Sequence, residues 1–352
     1  MATNLDRLRN VQVSAATAES PYDTAAAVDS RILVNAGVIP DDAVEVVNDL
    51  DLIGGTEEAS DSELIAQSVT FPIAQNRVKP HTLAFMASYA LGSVATTTPA
   101  GGTTARKHTI TPILTTADMA SFTTEGLLKT GLQKSWSGCM MDSFDLSFQR
   151  GANRFCNITG SALGSGTVTD GTATQTEVSE GGLNAATAGV WLDATTFDGA
   201  MSEDLDLTAN DLTSNPSALG ANVIGLEWNY RNNIDPDFLY TIGSGDQFGV
   251  AERVARDQTL TLTLLWQDET YRDYLIDDTD LALQVKVKNA QIGAEGLYYG
   301  WQAVFTKLRI ASRPKSESGG RLVETITFNV LQDATHGSVI LDVFNIQTAY
   351  MA

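Results

Sequence analysis

The β-rich part of this 352-residue chain occurs twice in the same order, as a strand, a short helix and later a long hairpin. The first copy has an alternating strand at 62–71 and the helical run PHTLAFMASYAL at 80–91, which Gly92 ends. The second copy has the strand TLTLTLL at 259–265 and the helical run ETYRDYLID at 269–277. This order predicts two similarly folded units in one polypeptide.

A long hairpin completes each copy. The first pairs residues 143–149 with 154–159 across a short turn, and the second pairs 303–310 with 322–331. Apolar and polar residues alternate along these segments, which is typical of strands with one buried face. We expect Pro72 to end the first strand or to place it at a sheet edge, because proline cannot donate a ladder hydrogen bond.

A Gly/Thr/Ser-rich stretch separates the two copies and predicts the domain boundary. We expect a first domain at 1–165, irregular to about residue 50, a linker at 166–189 and a second domain at 190–352. Low charge content and many Thr, Ser, Val and Gly residues favour a mainly β fold.

The net charge of −21, from 22 basic and 43 acidic residues, indicates a surface that repels nucleic acid and anionic lipid. Plain colloidal solubility explains the same charge equally well. Cys139 and Cys156 are expected not to pair, since they lie at different heights of the first hairpin, and this fits synthesis in a reducing cytoplasm. The first ten residues lack an apolar run, so we expect no signal peptide, and no apolar segment is long enough to span a bilayer.

No phosphate-binding, dinucleotide-binding, metalloprotease or nucleophile-elbow motif occurs in the sequence. The three histidines stand apart, without the spacing of metal ligands, and we expect no cofactor. One enzymatic alternative remains, a β-rich hydrolase that uses Asp277 and Asp280 as a carboxylate pair.

Five basic residues flank the turn of the second hairpin: Lys307, Arg309, Arg313, Lys315 and Arg321. They could form a nucleic-acid patch, but the overall acidity argues against it. We expect a patch that docks onto an acidic loop of a neighbouring subunit, and a solvated hairpin tip is an equal alternative.

Several short sequences occur in an order that resembles a known family. They are ESPYDTAA at 19–26, similar to E-x-x-Y-G-T-A-A with Asp23 in place of Gly, VKP at 78–80 leading to Leu91-Gly92, Ser137-Gly138, Leu163-Gly164, FDGA at 197–200 and EWNYRNNI at 227–234. Taken in this order, the chain resembles the tail tube proteins of long, non-contractile-tailed (siphovirus-like) bacteriophages, in the class with two tandem tube domains.

The resemblance implies two tandem tail-tube-type domains, each a β-sandwich or partial barrel with one short flanking helix. It also implies a structural virion protein without catalytic activity, made in the bacterial cytoplasm and located in the tail. Stacked homotrimeric rings would form a conduit for genome ejection; the alternative is a hexamer in which one domain decorates the outside. The implied partners are the chain itself, the tape measure, tail terminator and distal tail proteins, and passing genomic DNA that is not stably bound. Another two-domain β virion protein, a capsid decoration or an adhesin, is the alternative function.

Two long loops, at 48–62 and 232–257, each precede the corresponding strand of their own half of the sequence. We expect these two loops to carry contacts between rings. The candidate contact residues are Asp49, Asp51, Glu57, Glu58, Asp61, Asp235, Asp237, Asp246, Arg253 and Arg256. Asp145 and Glu324, on the hairpin strands, are the candidate acids of the tube lumen.

Overall fold

The computed structural model describes residues 10–35, 40–48, 62–113, 119–129, 132–149, 154–214, 216–234 and 255–352. The fold is mainly β, as the sequence predicts, and the pairings between its named strands are antiparallel.

Within its described residues, the first half of the chain contains ten strands and one α-helix. These are β1 (Asn10–Val13), β2 (Ser30–Ile32), β3 (Asp41–Asn48), β4 (Ser62–Asn76), α1 (Pro80–Leu91), β5 (Gly92–Thr97), β6 (Arg106–Pro112), β7 (Phe122–Lys129), β8 (Leu132–Gln149), β9 (Asn157–Gly164) and β10 (Val168–Asp170). The second half contains β11 (Ala188–Asp193), β12 (Ser217–Ala218), β13 (Val223–Arg231), β14 (Asp257–Leu265), α2 (Thr270–Ile276), β15 (Leu281–Gln291), β16 (Tyr298–Ser312), β17 (Lys315–Ser318), β18 (Arg321–Val330) and β19 (Val339–Asn345).

Both halves contribute four strands to one continuous sheet, which we call the shared sheet. Its order is β3-β4-β9-β8-β13-β14-β18-β16. At the last edge β16 pairs with the C-terminal part of β18 and β17 pairs with its N-terminal part. The link between the halves is the pairing of β8 with β13, in which Ser143 lies opposite Arg231 and Gln149 opposite Gly225.

Two smaller sheets use the N-terminal parts of the long strands β8 and β16. One has the order β2-β1-β7-β8-β10, and the other has the order β5-β6-β19-β16-β15-β11-β12. One hydrophobic core joins buried residues of the shared sheet, such as Phe71 and Leu260, with residues of both smaller sheets, such as Phe122 and Phe305.

The strand pairings repeat from half to half. The hairpins β3-β4 and β13-β14 precede the two helices, and β8-β9 and β16-β18 then complete the shared sheet. In the smaller sheets β7 corresponds to β15, β1 to β11, β2 to β12 and β10 to β19. The β5-β6 hairpin has no counterpart in the second half, where only residues 277–280 connect α2 to β15.

Local signals predicted the first helix correctly. α1 spans Pro80–Leu91, with Pro80 in its first turn, and Gly92 ends it in the left-handed conformation at φ 91°. The strand before it continues through Pro72 to Asn76. β3 covers β4 only as far as Thr70, so Pro72 lies beyond the paired part of that side and leaves no ladder bond unmade there.

The predicted linker at 166–189 packs against the first half. It contains β10, its Gln175 backbone N–H donates to the Gln12 side chain, and both Glu180 and Leu183 are buried. The domain boundaries themselves stay a prediction.

The segment ESPYDTAA folds around two carboxylates. Glu19 is buried, and its oxygens accept hydrogen bonds from the hydroxyls of Ser121 and Thr123. Asp23 has a φ of 57°, a left-handed conformation that Gly adopts freely and that Asp tolerates better than most residues. The Asp23 carboxylate accepts hydrogen bonds from Ser137, Ser165 and Thr167 hydroxyls, so the Asp side chain fastens a turn that a Gly could only permit.

Candidate assembly site

The shared sheet has one apolar face, directed into the core, and one polar face. Leu226, Trp228 and Tyr230 of β13 are buried, whereas Glu227 between them is exposed. A row of polar residues crosses the opposite face at one height and runs through consecutive strands as Thr159, Asp145, Asn229, Thr259 and Asn329. Thr261 and Thr263 continue the same face. Small hydroxyl and amide groups therefore dominate this surface.

The junction of β8 with β13 is held on both faces. On the core face the Phe144 ring packs edge-on against Trp228 at 4.8 Å and stacks on Tyr230 at 5.5 Å between ring centres. On the polar face Arg231 donates two hydrogen bonds to the Asp145 carboxylate, at 2.6 and 3.0 Å. Backbone pairing, aromatic packing and a bidentate ion pair thus join the two halves.

In the part of the chain that the structure describes, no strand pairs with the two outer edges of the shared sheet. At one end β3 exposes Val44 by 58% and Val46 by 51%. At the other end all four residues of β17, Lys315–Ser318, are exposed. Unpaired edges of this kind expose backbone donors and acceptors that can pair with another chain.

The two edges correspond to the two partners of the internal junction. β3 occupies in the first half the position of β13 in the second, because each begins the hairpin that precedes a helix. The edge that contains β17 likewise matches the C-terminal part of β8. The strand directions at the two edges would therefore let the β17 edge of one chain pair with β3 of the next chain, head to tail.

The predicted basic cluster forms ion pairs within the chain. Lys307 and Arg309 pair with Asp280, at 3.2 and 2.6 Å, because α2 and the turn after it pack beside β16. Arg313 contacts both Glu324 and Glu269. Arg309 also pairs with Asp278 and Lys315 with Glu269, whereas Arg321 is exposed at the start of β18. The intersubunit role of the cluster stays a prediction, and most of its charge is offset locally.

The two candidate lumen acids lie on opposite faces of the shared sheet. Asp145 is on the polar face, paired with Arg231. Glu324 is 1% exposed and lies on the core face, opposite Leu264 in the register, where it pairs with Arg313. Glu324 is therefore not part of the polar face, which corrects the expectation that it lies away from the core, and its role in the lumen stays a prediction. Its alternation with Ile326 and Phe328 was the signal that could have placed it correctly.

The candidate inter-ring loops lie almost wholly outside the described residues. This holds for Asp49, Asp51, Glu57, Glu58, Asp61, Asp235, Asp237, Asp246 and Arg253. Arg256 is described, partly buried beside the Tyr230 phenol. The strand ends that flank the loops, Asn48 with Ser62 and Arg231 with Asp257, are paired at the same end of the shared sheet. The described strand ends before and after both loops therefore lie on one side of the sheet.

Titratable groups elsewhere in the fold have structural surroundings. Asp280, one of the two hydrolase candidates, has its pKa lowered by the hydrogen bond from Arg309, and Asp277 is exposed at the end of α2. Within the described ranges no three His, Cys, Asp or Glu residues are grouped to hold a metal ion. None of the helices there is long and apolar enough to cross a membrane.

A buried network lies at the start of α1. Glu180 accepts a hydrogen bond from the His81 backbone N–H at 2.9 Å, and burial raises the pKa of Glu180 to about 7. The His81 ring contacts the Tyr350 hydroxyl at 2.7 Å, and burial lowers the pKa of His81 to about 4. Tyr350 in turn accepts from the Asn345 amide, so this network joins the first helix to the last strand.

The exposed strand edges, the polar sheet face and the duplicated topology define a structural protein built for self-association. Residues 9–330 match the model of the phage tail tube protein family, and the chain belongs to that family. It is a structural protein of the phage tail tube, located in the virion tail, and the family implies assembly with itself and with other tail proteins. This assignment favours the tube over a capsid decoration or an adhesin.

Similar solved structures come from type VI secretion systems. A type VI secretion system effector from Yersinia pestis is 13% identical, covers 45% of this chain and 99% of its own, and has a TM-score of 0.24. Hcp2 from Salmonella typhimurium is 15% identical, covers 46% of this chain and 98% of its own, and has a TM-score of 0.21. The search of curated proteins gives no match.

Proposed function

We propose that this chain forms closed homotrimeric rings that stack into the tube of a long, non-contractile phage tail, without catalytic activity of its own. The observation that carries the proposal is the β8·β13 junction inside the chain. It joins four strands of each half edge to edge with one polar face, so the same contact can be repeated between chains.

Ring closure follows from repeating that junction. The β17 edge of one copy meets β3 of the next, in the relation that β8 has to β13. Both edges are exposed to a neighbour, β3 at Val44 and Val46 and β17 along its whole length. Head-to-tail contacts of this kind either close into a ring or extend into a helix. Closure pairs both outer edges of the shared sheet.

Three copies suit the expected bore. We take strands about 4.8 Å apart that are tilted by about 40° from the barrel axis. A closed barrel made of two copies of the eight-strand sheet then has a backbone diameter of about 32 Å, and one made of three copies has a backbone diameter of about 48 Å. Side chains occupy roughly 10 Å of either diameter. A duplex would fill the narrower bore, whereas three copies leave space around it. The alternative hexamer with one outer domain is disfavoured, because both halves contribute equally to the shared sheet.

The test is the double variant Val44→Lys/Val46→Lys. Both positions are exposed on the edge strand, so the chain should fold normally, but buried lysines would prevent the neighbouring strand from pairing. We expect the wild type to form threefold rings and tubes in averaged electron images, and the variant to stay monomeric. The control is Ile346→Lys, an exposed position just after β19 and outside the shared sheet. Sixfold chain counts, or tubes of the double variant, would contradict the proposal.

We assign the polar face to the lumen and expect it to pass DNA without stable binding. Its hydroxyl and amide side chains offer weak phosphate contacts, Asp145 and Glu227 repel phosphate, and Arg231 is neutralised by Asp145. Assembled tubes should give no duplex binding at physiological salt, measured by fluorescence anisotropy. The variant Glu227→Lys should bind DNA in a salt-dependent way, since it adds a free cation to the wall. Wild-type binding that matches the variant would rule out a non-binding lumen.

Ring-to-ring contacts are assigned to the two long loops. Their flanking strands end on the same side of the shared sheet, which is where a stacked ring would meet them. Deleting residues 54–60 should leave a folded ring that does not stack, seen as single rings by electron microscopy. Shortening the β5-β6 connection by deleting Gly101 is the control, since that loop lies elsewhere. Normal tubes after the first deletion would refute this role. The tape measure, tail terminator and distal tail proteins are the partners proposed for the tube ends and interior.

A further inference from the structure

The helix α1 is covered from two sides. All twelve of its residues are buried, by β5, β6 and β8 of its own half and by β16 and β19 of the other half. Two hydrogen bonds support the second contact. The Asn232 side chain donates to the Ala90 carbonyl at 3.0 Å, and the His81 ring contacts the Tyr350 hydroxyl at 2.7 Å. The second half of the chain therefore completes the environment of the first helix.

The helix α2 has the corresponding place in the second half but none of its seven residues is buried. It packs on β16, with Tyr271 and Tyr274 partly covered at the core. Leu275 is 36% exposed and Ile276 is 62% exposed at its C-terminal end. A helix with two large apolar residues at its open end needs a further cover to match the environment of α1.

The repeat identifies the element that should supply this cover. On the long strand β8, Trp136 lies between Thr124 of β7 and Val168 of β10. On the long strand β16, Phe305 lies in the same way between Leu283 of β15 and Val339 of β19. β10 is thus the first-half counterpart of β19, with Val168 in the place of Val339. Val339 is fully buried, whereas Val168 is 40% exposed. β10 lacks the cover that β19 has.

The ends of the elements agree with this match. Gly92, directly after α1, pairs with Pro112, while Ile110 pairs with Leu341, so the C-terminal end of α1 lies at the Val339 end of β19. The C-terminal end of α2 should accordingly lie at the Val168 end of β10. No inserted hairpin follows α2 to separate them.

We propose that α2 of one copy packs on β10 of the next copy in the ring, with Leu275 and Ile276 against Val168. This contact rests on the proposed head-to-tail ring and forms a second seam, distinct from the strand seam of β17 with β3. Eight large apolar side chains are exposed within the described ranges, and five lie on the elements of these two seams: Val44, Val46, Val168, Leu275 and Ile276. The surfaces that the repeat brings together are thus the ones that carry most of the exposed apolar residues.

The direct test is cross-linking in assembled tubes. The variant Ile276→Cys/Val168→Cys, treated with a short bismaleimide, should give covalent dimers and closed trimers on a denaturing gel. The two native cysteines are fully buried and should not react. The matched negative control is Ile276→Cys/Ile346→Cys, because Ile346 is exposed but lies on neither seam.

A strand-seam pair separates the two ways in which the test can fail. Val44→Cys/Glu317→Cys should cross-link between copies if the ring closes as proposed. Cross-links of this pair without any from the 276/168 pair would overturn the helix seam and leave the ring intact. Absence of both in a preparation that forms tubes would overturn the head-to-tail ring itself.

A second measurement does not depend on cross-linking geometry. Ile276→Asp should raise the protein concentration needed for assembly by about tenfold or more, since it places a charge in an apolar contact repeated at every subunit. Adding Val168→Lys should restore part of the loss through an ion pair. Ile346→Asp should leave assembly unchanged. Equal assembly of Ile276→Asp and Ile346→Asp would contradict the helix seam.

Discussion

The two helices begin from equivalent positions and end in opposite environments. α1 and α2 each follow a hairpin of the shared sheet, yet α1 is buried along its whole length and α2 at no residue. Composition follows environment, because α1 is written almost entirely with small and apolar residues and α2 carries Arg272 and Asp273. Within one chain, therefore, only the helix of the first half is fully covered, because the second half supplies part of the surface that buries it.

The difference in burial between α1 and α2 indicates which surfaces of the chain are open to a neighbouring chain. In a single protomer the first half is covered by the second, while the second half has no successor. The same asymmetry occurs at the sheet edges, since β8 is paired with β13 but β17 is bare. The open surfaces of the second half correspond element by element to the covered surfaces of the first. In the head-to-tail ring proposed above, another copy of the chain supplies their cover.

The largest expected effect is on the buried helix. Phe85 packs against Phe122 with ring centres 5.0 Å apart and against Tyr89 at 5.3 Å. Phe85→Ala should lower the free energy of unfolding by about 3–5 kcal/mol, because it leaves a cavity in a region that no solvent reaches. Urea denaturation of the protomer measures it. A loss below about 1 kcal/mol would mean that α1 is not part of the cooperative core.

The next effect tests whether the second half holds the first helix. The Asn232 side chain, fully buried at the end of β13, donates to the carbonyls of Ala90 and Met141. Asn232→Ala should lower the free energy of unfolding by about 1–3 kcal/mol, since it orphans two buried carbonyls. Asn329→Ala, on the polar face of β18, is the exposed control. If both variants unfold alike, Asn232 does not tie the halves together.

Features of the fold that depend on neighbouring residues could be predicted from the sequence, and features that depend on distant residues could not. The ends of α1 were predictable, because Pro80 and Gly92 act within one turn of chain. The β8·β13 junction was not, since the alternation in Ser143–Gln149 shows that one face is buried but does not identify the strand that lies alongside.

The candidate site divides in the same way. The basic cluster was predicted as a cluster, but its partners were not recognised: Glu269 was the first residue of the second helical run and Asp280 one of a candidate carboxylate pair. They meet because α2 packs beside β16, which is a tertiary relation that sequence spacing does not contain. The sequence predicted an irregular segment to about residue 50, whereas the structure has β1, β2 and β3 there. The exposure of Val44 and Val46 on β3 was not predicted either, since exposure on an edge depends on which strands lie beside it.

A smaller effect depends on pH and acts at the start of α1. The pKa of Glu180 is raised to about 7 from 4.5 by burial, so the native state binds an extra proton between these values. The contribution to stability is fully present below about pH 4.5 and is lost as pH rises through 7. Glu180→Gln should therefore be more stable than the wild type at pH 8 by up to about 3 kcal/mol and equal to it at pH 4.5.

The control for Glu180→Gln is Glu317→Gln, an exposed carboxylate on β17. Urea midpoints at a series of pH values measure both variants. His81, whose pKa is lowered to about 4, opposes the trend by losing stability as pH falls below 6.5, but it is present in all three proteins and cancels in the difference. A difference between Glu180→Gln and wild type that does not change with pH would show that Glu180 is charged throughout.

The smallest effect is expected on the other helix, and it separates an open surface from a merely unimportant one. Ile276→Ala should change the free energy of unfolding of the isolated protomer by less than about 0.5 kcal/mol, because the side chain is 62% exposed and leaves no cavity. In assembled tubes the same substitution should lower the thermal midpoint of disassembly, while Ile346→Ala should not. A destabilised protomer would show that α2 is already packed without a neighbour. Unchanged tubes would show that the exposed end of α2 stays in solvent, and the contrast between the two helices would then reflect only the β5-β6 insertion.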